Sequence, residues 1–125
     1  MATIAIDFDG TCVRYAYPEV GESIGVEPVL ERLVDAGHRL ILLTMRTGEQ
    51  LKEATTWFKE RSIPLWGINK NPEQKYWSLS PKVYAELYID DLACGIPLIL
   101  GDTVKPYVDW SLVEDWLIDK EFLEA

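Results

Sequence analysis

Residues 3–11 read Thr-Ile-Ala-Ile-Asp-Phe-Asp-Gly-Thr. An apolar run that stops at an acidic, glycine-containing turn is the pattern of a buried strand that carries polar groups to its carboxyl end. Asp7 and Asp9 lie two positions apart, so both carboxylates can face one crevice there.

The neighbouring segments agree with that reading. Residues 11–25 hold Arg14, Tyr15, Tyr17, Pro18, Gly21 and Gly25 and read as a loop or short hairpin, a flap rather than a domain. Pro28 suits the first position of a helix, Val29, Leu30, Leu33 and Val34 share one face of it, and Gly37 can close it. Residues 39–44 (Arg-Leu-Ile-Leu-Leu-Thr) form a second apolar run, as expected of a strand covered on both faces. Thr47-Gly48-Glu49-Gln50 has the spacing of a capping box, and Leu51, Ala54, Trp57 and Phe58 give the helix over 48–61 its inward face. Residues 65–69 read as a third strand, 70–80 as loop, and Ser80-Pro81 as the start of a short helix holding Lys82. Residues 86–90 form a fourth strand, 97–100 a fifth, and a last helix from about 109 or 111 turns Leu112, Val113, Trp116 and Leu117 inward.

Strands alternating with helices predict a parallel α/β sheet, whose ligands bind beyond the carboxyl ends of the strands. The polar residues gather at those ends: Asp7 and Asp9, Thr44 and Arg46, Asn69 and Lys70, Asp90 and Asp91. A chain of 125 residues with 48% apolar and 26% charged residues is expected to form one domain over 1–125. The net charge of −9 disfavours nucleic acid and membrane surfaces as partners. No apolar run approaches a membrane span, the Met1-Ala2-Thr3-Ile4 start lacks a basic leader, and Cys12 and Cys94 make no framework. A cytoplasmic setting is therefore expected.

Asp7-Phe8-Asp9-Gly10-Thr11 resembles the first motif of the haloacid dehalogenase (HAD) superfamily. Leu40-Ile41-Leu42-Leu43-Thr44 is similar to the second, Lys82, eight residues before Asp90, to the third, and Tyr88-Ile89-Asp90-Asp91 to the fourth. The four span residues 4–91 in the family's order. The resemblance implies a three-layer Rossmann-like sheet of about five strands in the order 3-2-1-4-5. It implies that Asp7 is a nucleophile forming an aspartyl phosphate and Asp9 the general acid and base. It also implies that Mg²⁺ is held by Asp7, Asp90 and the Asp9 backbone carbonyl. Thr44 and Lys82 would hold the phosphoryl group, with backbone N–H groups around Phe8 to Gly10 completing the cradle. Asp9 points to phosphoryl transfer, because dehalogenating members lack an acid at that place.

Arg46 at the rim reads either as a solvated loop arginine or as a substrate contact, and Asn69 and Lys70 likewise. Asp91, a strand neighbour of Asp90, reads as a supporting group or helix cap more readily than as a ligand. Lys70 and Lys75 are alternatives to Lys82. Trp57 and Trp116 read as core and Trp77 as the tryptophan most open to a ligand.

Neither the stretch after Asp9 nor residues 70–81 has room for a cap domain, so a capless phosphatase is implied, acting on a small phosphomonoester. Its site would be closed by the flap, by a second subunit in a homo-oligomer, or by a large substrate. The competing readings are a non-catalytic HAD-fold binding protein and a receiver-like phospho-acceptor module. The latter places its acceptor Asp after the third strand, where residues 65–69 have none.

Overall fold

A computed structural model describes residues 1–101 and 105–125. β1 (Thr3–Ile6) is the hub of the parallel sheet. It pairs on one side with β2 (Arg39–Leu42), Ile4 opposite Leu40 and Ile6 opposite Leu42. On its other side lies β4 (Leu87–Ile89), Ile6 opposite Ile89. β3 (Gly67–Ile68) extends the sheet beyond β2, giving the order β3-β2-β1-β4. All four strands run the same way, so their carboxyl ends share one edge.

The expected fifth strand does not join this sheet. Residues Leu98–Ile99 form β5, which pairs antiparallel with β6 (Tyr107–Val108) as a separate ribbon. Connection length explains the difference: eight residues separate Ile89 from Leu98, whereas a parallel crossover needs a dozen or more.

Alternation along the strands sorts the core. Ile4, Ile6, Leu40 and Leu42 belong to one cluster with residues of all three helices. α1 (Glu27–Asp35) contributes Val29, Leu30 and Leu33, and α2 (Gly48–Glu60) contributes Ala54, Trp57 and Phe58. α3 (Trp110–Asp119) contributes Trp110, Val113 and Leu117. Each buried valine, leucine, isoleucine or phenylalanine here stabilises the fold by about 1.5–3 kcal/mol relative to exposure. Phe8 packs edge-on to Trp57 at 5.7 Å, which anchors the residue between Asp7 and Asp9. The opposite pleat, Ala5 and Ile41, is covered by Val83 and Ala85 with Leu43 and Trp66 beside them. The third layer is thus an irregular segment instead of a helix. The short helix expected to hold Lys82 is absent, and the one helical turn nearby is a 3-10 turn at Gln74–Tyr76.

Helix ends follow local chemistry in two cases and not in a third. Gly37 takes φ +92°, and the pair Gly37 N–H to Val34 O and His38 N–H to Leu33 O closes α1. Asp109 caps α3 through Leu112 N–H. Thr47 precedes α2 as expected, but its hydroxyl makes no capping bond. Trp116, expected in the core, is 45% exposed and stacks on Phe122, because Val113 and Leu117 take the inward face of α3. No helix among the described residues is long and apolar enough to cross a membrane.

Candidate functional site

The carboxyl ends of β1, β2 and β4 open into a cleft of about 630 Å³. Asp7, Asp9, Thr44, Arg46, Asp90 and Asp91 line it, with Tyr15 and Tyr17 of the flap and Lys105. A smaller hollow of about 260 Å³ beside the β4 edge is lined largely by apolar side chains, with no convergent polar groups.

Asp7 continues β1: its N–H donates to Ile89 O at 3.0 Å, locking it to the end of β4. Thr11 then ties the two strand ends together. Its hydroxyl donates to Asp7 Oδ2 at 2.9 Å and accepts from Asp91 N–H at 3.0 Å. Its carbonyl accepts from the buried Trp110 indole at 2.6 Å. Thr11 is fully buried, a support that the sequence motif contained without revealing its task.

Asp7, Asp90 and Asp91 each offer an oxygen, and the three oxygens lie within 4.8 Å of one another. This crowding is electrostatically costly. Burial, foremost, and the Asp90 charge push the Asp7 carboxyl up to about 8, with the Thr11 hydrogen bond opposing in part. Asp91 is also raised, chiefly by burial. The cluster holds the two carboxylates expected, Asp7 and Asp90, and adds Asp91. The Asp9 carbonyl oxygen accepts no hydrogen bond among the described residues and stays available on the same loop.

Asp9 is gripped by Arg46, whose Nε and Nη2 donate to its two oxygens at 2.8 and 2.7 Å. Arg46 is 2% exposed, neither a solvated rim arginine nor a free substrate contact. The proximity of Asp9 raises its already high pKa further. Gly10 is also not the expected N–H donor to a ligand, because its N–H donates to Val13 O at 2.8 Å. It is needed for space and for its φ of +83°, since a Cβ there would collide with Asp91 Oδ2. Among the described residues no acceptor takes the N–H of Phe8 or Asp9.

Thr44 stands at the end of β2 as expected. Its N–H donates to Asn69 Oδ1 at 2.8 Å and its hydroxyl accepts from Arg46 N–H at 3.2 Å. Asn69 thereby acts as a support for Thr44. Lys82 is exposed and does not line the cleft; its neighbours Pro81 and Val83 share a separate hollow with Asn69 and Lys70. The lysine that does line the cleft is Lys105, with its Nζ 3.9 Å from the centre of the Tyr15 ring. It lies beyond the fourth motif, where no local pattern marked it. Cys12 is buried, and burial next to Asp7 pushes its thiol well above the usual range, so it is unreactive.

No protein-family model matches the chain, and no curated protein matches it. A solved structure of a conserved protein from Bacteroides thetaiotaomicron is similar with a TM-score of 0.77 and 37% identity, covering 96% of this chain and 90% of that one.

Proposed function

The chain belongs to the same family as the conserved Bacteroides thetaiotaomicron protein, and we propose that it is a HAD-type, divalent-metal-dependent phosphatase of small phosphomonoesters. The observation that carries this reading is the trio Asp7, Asp90 and Asp91, three carboxylates within 4.8 Å at the ends of adjacent parallel strands. Such crowding destabilises a protein unless a cation or bound protons offset it. A donor set made only of oxygens suits a hard cation such as Mg²⁺. Asp7, Asp90, Asp91 and the Asp9 carbonyl would hold it, and the ion would supply charge neutralisation for a phosphoryl group.

The chain's own groups then divide the chemistry. Asp7 attacks phosphorus, the P–O bond to the ester oxygen breaks, and an aspartyl phosphate forms. Asp9 gives a proton to the departing oxygen and later takes one from the water that attacks the aspartyl phosphate, returning Asp7 and releasing phosphate. The Thr44 hydroxyl and the N–H groups of Phe8 and Asp9 are the neutral donors for the phosphoryl oxygens. Lys105 is the cation on the cleft wall, and Lys82 fills the same role only if its exposed side chain swings over. Tyr15 and Tyr17 shield the reacting centre from water.

The test is phosphate release from p-nitrophenyl phosphate and a panel of phosphometabolites, with Mg²⁺, with EDTA and with Asp7→Asn. Mg²⁺-dependent release lost in Asp7→Asn is expected. No release from any substrate by folded, Mg²⁺-binding protein would refute it. One observation favours a second reading, a binding protein without turnover: Arg46 occupies both oxygens of Asp9.

A further inference from the structure

Arg46 is the one fully buried charged side chain among the described residues. Burying a guanidinium costs several kcal/mol unless all its donors are met. Its five N–H groups find five partners. Two go to Asp9. Nη2 also donates to Glu19 O at 2.7 Å, and Nη1 donates to Pro18 O at 3.3 Å and Gln50 O at 3.2 Å. The guanidinium also lies 5.2 Å from the ring centres of both Phe8 and Tyr17.

These partners come from three separate pieces: the Asp9 loop, the flap and the first turn of α2. A carboxylate alone satisfies two donors of the fork. The remaining three require the flap backbone and α2 to be docked. The same flap carries Tyr15 and Tyr17 into the cleft wall. If the flap leaves, Arg46 loses two carbonyls and its burial, and the orientation of Asp9 is released with it.

We propose that Arg46 is a positioning residue that couples the flap to Asp9, so that the carboxylate is aimed only while the flap is closed. This rests on the acid–base role given to Asp9 above. The fork places one N–H on each oxygen of Asp9, and no other donor among the described residues reaches either oxygen. Lysine keeps the charge but offers one point of attachment and cannot reproduce the grip.

The leaving group makes the coupling measurable. p-Nitrophenolate departs without a proton, whereas an alkoxide needs one. Arg46→Lys is expected to lower kcat/KM on an alkyl phosphate by about 10²-fold or more while p-nitrophenyl phosphate loses less than about tenfold. Asp9→Asn should show the same selectivity, and the double variant should be no worse than Asp9→Asn on the alkyl ester. Equal losses on both esters would overturn the proposal. If the wild type hydrolyses neither ester, the phosphatase reading fails, and the coupling is judged by hydrogen exchange. Both Arg46→Lys and Asp9→Asn should then lower protection of the flap amides of Arg14, Glu19 and Ile24 by about tenfold, with β1 and β2 unchanged. Unaltered flap protection in both variants overturns it.

Discussion

Replacing Asp90 with Asn should stabilise the metal-free protein at alkaline pH and abolish its response to Mg²⁺. The magnitude follows from the carboxylate cluster. Raising Asp7 from 3.8 to about 8 corresponds to roughly 5–6 kcal/mol against its ionised form. Burial is the largest cause and remains in the variant; the Asp90 charge is the second and is removed. Two unit charges at the outer limit of 4.8 Å repel by roughly 3 kcal/mol at an effective dielectric constant of about 20, which sets the order of the relief. The direction with pH follows from linkage. The folded pKa of Asp7 lies above its unfolded value, so its contribution to stability is full below 3.8 and is lost as pH rises through about 8. In EDTA the melting temperatures of the two proteins should therefore nearly coincide at pH 5. By pH 8.5 the variant should lead by roughly 3–6 °C for each kcal/mol of relief. Saturating Mg²⁺, at about a hundred times its Kd, should raise the wild type by about 2.7 kcal/mol and leave Asp90→Asn unmoved. Thermal unfolding followed by circular dichroism from pH 5 to 9, with EDTA and with Mg²⁺, reads all of this. A variant less stable than wild type in EDTA at every pH, or one that Mg²⁺ stabilises equally, would refute the reasoning.

Three other substitutions probe neighbouring parts of the site. Asp7→Asn should eliminate turnover and any phosphoprotein seen on acid quench, while raising the melting temperature in EDTA at pH 8. Gly10→Ala forces a Cβ against Asp91 and strains a positive φ, so it should weaken Mg²⁺ binding by about tenfold and cost about 1–3 kcal/mol, read by calorimetric titration and denaturant unfolding. Lys105→Ala should raise KM for a phosphomonoester by about tenfold with the unfolding midpoint unchanged, as removal of one charged hydrogen bond requires.

Much of the architecture was legible because it is written locally. The runs at 3–8 and 39–44 are apolar on both pleats, and Gly37 ends α1 by a conformation that other residues avoid. Residues 97–100 have strand composition, but their connection from β4 is too short to reach the sheet in parallel. Asp7, Thr44 and Asp90 reach the cleft as their strand ends foretold. The places of Arg46 and Asp91 are not written locally. The burial of Arg46 depends on Asp9, thirty-seven residues away, and on a flap with no periodicity of its own. Asp91 enters the cluster because the chain leaves the strand pleat after Ile89, so alternation no longer predicts its direction. Trp116 shows the limit of an apolar stripe on a helix: α3 is apolar on two sides, and only one of them finds a core.

The sheet is fastened unequally on its two sides. The helical side buries large aromatic and branched side chains, while the other is closed by a few residues from an irregular segment over Ala5 and Ile41. Little apolar area is lost if that segment detaches, so it can open at a free energy well below that of global unfolding. A protease present under native conditions should therefore cut first around 75–82, releasing the backbone near Lys82 while β1 stays paired to β2. The side of the molecule that holds this lysine is thus held less by apolar area than by the bonds of buried Asn71 and Gln74 to the backbone of Tyr84, Ser80 and Lys82.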